Sequence, residues 1–193
     1  MPTGGIFIIG EIRGELGDRL SEITRRYDPR LARSKPPHLT LTGSSGLGPL
    51  PPDLSVTDIA ARLEPVLSTT GPVELRFLPP VRFMQSTIVI LPLDPHGPLR
   101  VLHDRVGASG LPFARARYTF TPHVTLSLYA TLSREALRDL METRIPEPFL
   151  LEALQIYLTR DPQPARKLLE LPLRGGIARS ADGLSPAGGG AAR

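Results

Sequence analysis

The sequence predicts an α+β fold: a duplicated, bilobal domain of two antiparallel-rich sheets, helices on their outer faces, arranged around a central cleft. Three observations lead there. Short β-rich runs alternate with amphipathic stretches along the 193 residues. A strand–helix–strand pattern occurs twice, and both copies end in nearly the same phrase, "PPHLTL" at 36–41 and "TPHVTL" at 121–126. With 40% hydrophobic residues the chain can bury one large core, so residues 1–173 are read as a single domain with two pseudo-symmetric lobes.

The first element, "GIFIIGEI" (5–12), is a short β-rich run and reads as a strand. Leu16, Leu20, Ile23 and Tyr27 then recur at spacings of four, three and four, one face of a helix. The basic segment "RRYDPRLARSK" is read as a loop, and "HLTLTG" after it as a strand. Ser55 caps a helix carrying Ile59, Leu63, Val66 and Leu67, which Pro65 should bend or end early. The alternating "VELRFL" (73–78) and the continuous "STIVILPL" (86–93) are strands with "PVRFM" between them. Leu99, Leu102 and Val106 mark a helix, "HVTLSLY" a strand, and Ser133 the cap of a helix with Leu137, Leu140 and Met141. Strands over about 148–158 and 166–173 close the fold. Residues 174–193, with six Gly and five Ala, have almost nothing to bury and are expected to form a disordered tail.

Composition narrows the chemistry. Without cysteine there is no disulfide framework, thiolate metal site or cysteine nucleophile, so a catalyst must be built from His, carboxylates, hydroxyls or Arg. No apolar run reaches a membrane span and the start lacks the marks of a leader, so the expected location is the cytoplasm, with no membrane partner. The net charge of +4 fits an anionic partner, although only Lys35 and Lys167 of the 23 basic residues are lysine, and an Arg-rich genome gives the same balance. "TGSSGLG" lacks the Lys-Ser/Thr of a phosphate-binding P-loop and is read as a plain loop.

The repeated phrase carries the argument further. From Ile9 to His38 there are 29 residues, and from Ile90 to His123 there are 33. On a strand, residues i and i+2 share a face, so His38 and Thr40 project together while Leu39 and Leu41 bury the other side; His123, Thr125, Val124 and Leu126 repeat the arrangement. Pro-His-x-Thr-Leu is expected by chance on the order of 0.005 times in a chain of this composition, so two copies are a signal, either of a shared site or of a structural relic of duplication. In-line substitution at phosphorus needs one group to take a proton and another to supply one on the opposite side, and two imidazoles about a two-fold axis meet that need near neutral pH. Threonine hydroxyls suit the non-bridging oxygens, where charge builds.

Two His-x-Thr motifs, each followed by Leu, on strands of a duplicated lobe resemble the two-histidine phosphoesterase superfamily, in particular its bacterial 2′-5′ RNA ligase-like branch. The resemblance covers about residues 5–173, including "FLPPVRFM" and "STIVILPL". It implies a bilobal fold with both motifs in one cleft, and activity on 2′,3′-cyclic phosphates of RNA ends or nucleotides. It implies no metal or other cofactor and, in some members, reversible 2′-5′ ligation of RNA. By position His38 and His123 become the acid–base pair, in roles left open, and Thr40 and Thr125 the phosphate ligands. Arg115, Arg117, Tyr129 and Arg160 are considered for substrate binding, against solvated surface or core packing; Tyr157 and Phe83 are considered for stacking on a base. The partners implied are RNA with a cyclic phosphate end or a cyclic nucleotide, and no protein partner is expected. The rival readings are a 2′-5′ end-joining enzyme and a non-catalytic nucleotide- or RNA-binding module. His96 and His103 are given no role.

Overall fold

The computed structural model describes residues 4–83, 86–160 and 163–176. The chain opens with β1 (Gly4–Glu11), whose Ile6 and Ile8 face the core. In α1 (Gly14–Tyr27) Leu20 is fully buried, and Leu16, Ile23 and Tyr27 pack beside it as the predicted stripe. The basic segment expected as a loop contains a helix, α2 (Pro29–Ser34). Its cause is local: the Asp28 carboxylate accepts the Leu31 N–H at 2.9 Å, and Pro29 supplies a preset φ at the first helical position. After β2 (His38–Thr40) comes α3 (Val56–Leu67), capped by Ser55 as predicted and ending two residues after Pro65.

The remaining elements are β3 (Val73–Leu75), β4 (Val81–Arg82), β5 (Val89–Pro92), α4 (Pro98–Gly107), β6 (His123–Ser127), α5 (Arg134–Met141), β7 (Phe149–Leu151), β8 (Ala153–Arg160) and β9 (Gln163–Pro172). The run predicted as one strand over about 148–158 is interrupted at Glu152, and its halves join different sheets.

Seven strands form one open sheet in the order β4-β5-β6-β2-β1-β8-β9, every neighbour antiparallel, and β3 pairs with β7 in a small second sheet. The duplication is visible in the register. Ile9 faces Thr40 and Gly10 faces Leu39 in one half; Ile90 faces Thr125 and Leu91 faces Val124 in the other. The two lobe sheets are not separate: they meet edge to edge at the registered pair Leu39 and Val124, so a pseudo-two-fold axis runs through the β2–β6 seam. Leu39, Leu41, Val124 and Leu126 are all buried in the core. Each such side chain contributes roughly 1.5–3 kcal/mol of burial, and together they hold the alternate residues, His38, Thr40, His123 and Thr125, on the opposite face.

Around the sheet, α1 packs on β6, α3 on β9 and α4, and α5 on β5. Contacts with the domain continue slightly past its expected end: the Arg174 N–H donates to the Leu67 carbonyl, that of Gly175 to the Thr70 carbonyl, and the Arg174 guanidinium pairs with Glu64. The rest of the expected tail, 177–193, lies outside the described residues. Among the described residues no helix is long and apolar enough to cross a membrane.

Candidate active site

His38 begins β2 and His123 begins β6, so the two motifs stand on neighbouring strands on either side of the seam. Both imidazoles, both threonines and Lys35 line one cavity of about 330 Å³. Its walls include Thr24, Leu31 and Ser34 from the first half, and Phe83, Leu128 and Tyr129 from the second. A larger cavity of about 570 Å³, lined by Arg13, Phe149 and Leu150 among others, contains neither histidine.

The two imidazoles are held alike. His38 Nδ1 lies 2.7 Å from the Pro36 carbonyl oxygen, and His123 Nδ1 lies 2.7 Å from the Thr121 carbonyl oxygen. A carbonyl only accepts, so this geometry assigns the Nδ1 proton and leaves Nε2 with a lone pair in the neutral ring. Either ring can therefore take a proton at Nε2, or give one back once cationic. Among the described residues neither the Thr40 nor the Thr125 hydroxyl is engaged by the protein, so both remain available to a ligand.

Burial pushes His38 down to about 4, against the opposing Pro36 carbonyl; the nearby charges of Lys35 and His123 lower it further and Glu11 raises it. Burial also lowers His123, opposed by the Thr121 carbonyl. Both rings are thus neutral at neutral pH in the protein alone, and an entering phosphate supplies the negative charge that favours a second proton on one of them.

The two halves differ around this common frame. Opposite His38 in the register stands Glu11; opposite His123 stands Pro92. Glu11 accepts from Tyr157 Oη at 2.7 Å and from Arg13 Nη2 at 2.8 Å, and pairs with Lys167, while Arg13 also pairs with Glu170. Burial works to raise the Glu11 carboxyl, but these donors together hold it below its ordinary value.

Of the other residues considered, only Tyr129 and Phe83 reach the cavity. Tyr129 is 48% exposed at the rim with the Arg30 guanidinium 4.4 Å from its ring centroid, and Phe83 lies 5.6 Å from the His123 ring. Arg115 and Arg117 are exposed on the loop that pairs with residues 44–47 and do not line the cavity. Arg160 is at the far end of β8, opposite Gly4, and also stands away from it. Tyr157 is buried and gives its hydroxyl to Glu11, so it offers no face for stacking. His103 is buried against Phe120, ring centroids 3.8 Å apart, and His96 is exposed in a turn.

Sequence reasoning missed Asp28. Its carboxylate, 1% exposed, accepts the Leu31 N–H at the start of α2 and the N–H groups of Leu128 and Tyr129 at 2.7 Å and Ala130 at 3.3 Å. It ties the helix before the first motif to the turn after the second. The Asp-Pro pair, a cap residue before a first-turn proline, was the available signal for the helix; nothing local announced the other three donors.

A family model of the 2′-5′ RNA ligase superfamily matches residues 10–163. A search of curated proteins finds no match. Among solved structures, TT0787 of Thermus thermophilus aligns with a TM-score of 0.62 at 17% identity, covering 90% of this chain and 100% of that one. E. coli LigT complexed with phosphate aligns at 0.53 and 15% identity, covering 89% and 98% of the two chains. LigT complexed with 3′-AMP aligns at 0.54 and 16%, covering 90% and 99%. At such identities the likeness is one of fold. An open antiparallel sheet with paired His-x-Thr strands defines the class as a two-histidine phosphoesterase. More narrowly, the chain belongs to the 2′-5′ RNA ligase superfamily.

Proposed function

We propose that this protein hydrolyses 2′,3′-cyclic phosphodiesters, at RNA termini or on nucleotides, without a metal ion. The observation that carries the reading is the pairing of two imidazoles across a pseudo-two-fold seam, each fixed through Nδ1 with Nε2 left to react. One Nε2 takes a proton from water as the water oxygen bonds to phosphorus. The bond from phosphorus to one ribose oxygen breaks, and the other imidazole, as imidazolium, protonates that oxygen. The product is a phosphomonoester. Thr40 and Thr125 donate to the non-bridging oxygens as they gain charge. The LigT structures that share the fold hold phosphate and 3′-AMP, ligands of the chemistry proposed here. A base of the substrate stacks on Tyr129 in this reading, which its exposure at the rim supports.

The test is turnover of a 2′,3′-cyclic nucleotide, and of RNA ending in one, with EDTA present. Wild type should be active, and His38→Ala and His123→Ala should each lose about 10²–10⁴ in kcat. An inert wild type on both substrates sinks the reading. A longer RNA product on addition of a 5′-hydroxyl RNA would instead identify an end-joining enzyme of the same family.

A further inference from the structure

We propose that Lys35 is a further phosphate-binding group of this site, its ammonium bonding a non-bridging oxygen of the bound phosphate beside His38. The proposal deepens the phosphodiester reading and rests on it for the substrate, but its own content is an anion held by Lys35.

Lys35 lines the cavity that also holds both histidines and both threonines. It is half-buried, and among the described residues no carboxylate lies within ion-pair range of it; its ammonium lies over the Phe7 ring, 5.5 Å from the centroid. Burial lowers its pKa accordingly. A half-buried ammonium without a counter-ion is costly, and an entering anion offsets that cost. The residue type supports the same role. The chain uses Arg at nearly every basic position, and its other lysine, Lys167, is already committed to Glu11 and Glu170. A lysine brings a compact charge with three donors on a flexible stem, suited to a tetrahedral oxyanion.

The duplication shows that this cation is not inherited with the motif. Lys35 precedes its histidine by three positions; the residue three before His123 is Phe120, buried and stacked on His103. One half thus carries a charge where the other carries core. Of the other charged groups, Arg25, Arg26 and Arg33, which no carboxylate pairs among the described residues, are exposed and do not line the cavity. Glu11 is held by Lys167, Arg13 and Tyr157, Asp28 faces backbone N–H groups, and Arg30 lies on the Tyr129 ring.

The experiment uses the full chain and inorganic phosphate as probe, with affinity measured by calorimetry and the ring protons of His38 and His123 titrated by NMR. Lys35→Gln should bind phosphate about tenfold more weakly, the loss of one charge-assisted bond, and Lys35→Arg should recover part of that. In phosphate-free protein, removing a neighbouring positive charge should move the His38 titration to higher pH and leave His123 nearly in place, a change that a packing role for Lys35 does not produce. If Lys35→Gln fails to fold, Lys35→Met keeps the aliphatic stem over Phe7 and answers the same question. Wild-type phosphate affinity in the variant, or no saturable phosphate binding by wild type, overturns the proposal. A protein that binds phosphate through Lys35 yet turns over no cyclic phosphate would remove the substrate assignment and leave the ligand in place.

Discussion

At the scale of single residues, the carboxylate of Asp28 and the two imidazoles carry the most testable consequences. Asp28→Ala leaves four N–H groups without their acceptor and should cost about 2–4 kcal/mol in urea unfolding, with Asp28→Asn costing less because one oxygen remains. His38 is held neutral in the native state down to about 4, whereas the unfolded chain takes up that proton near the ordinary histidine value. Its contribution to stability is therefore fully present above about pH 6.5 and is lost as pH falls towards 4. Melting temperatures across that window should fall more steeply for wild type than for His38→Gln; parallel curves would contradict the burial argument. His38, Thr40, His123 and Thr125 were legible in the sequence because the same phrase is written twice. Lys35 and Asp28 were in plain view in the basic segment, but what defines Asp28 is a set of donors 100 or more residues away, and chain order does not carry that.

Among the elements, periodicity announced the stripes of α1, α3, α4 and α5 and the longer strands, since each depends on neighbours three, four or two residues along. It was silent on the break at Glu152 and on the β2–β6 pairing, which depend on partners from other parts of the chain. The loop after β2 shows how tightly such partners can fit. Gly46 has φ +73°, and a Cβ there would stand 2.3 Å from His103 Nε2 and 3.0 Å from Phe120 Cβ. Gly46→Ala should destabilise the protein by about 2 kcal/mol or more, read by thermal unfolding, and should loosen the segment leading into the second motif. An unchanged melting curve would mean that the loop and His103 can give way freely.

Over the whole molecule, charge separates the substrates that the site alone does not. Arg25, Arg26, Arg30 and Arg33 are exposed on or beside the helix that walls the cavity, and among the described residues no carboxylate pairs with them. If RNA is the substrate, its KM should rise with salt far more than that of a cyclic mononucleotide, because only the longer chain releases counter-ions along this surface. Equal salt dependence would favour the nucleotide. Truncation after Gly176 should leave melting and turnover unchanged, whereas truncation after Leu173 also removes the bonds of Arg174 and Gly175 to the end of α3 and the turn behind it, and should lower the melting temperature. The seam at Leu39 and Val124 matters for inhibitor chemistry as well. A compound with its own two-fold symmetry can seat in two equivalent poses, a statistical gain of about 0.4 kcal/mol. An unsymmetrical compound has to choose, and the lever for making it choose is Lys35, which lines the cavity in one half while its counterpart in the other, Phe120, is buried in the core.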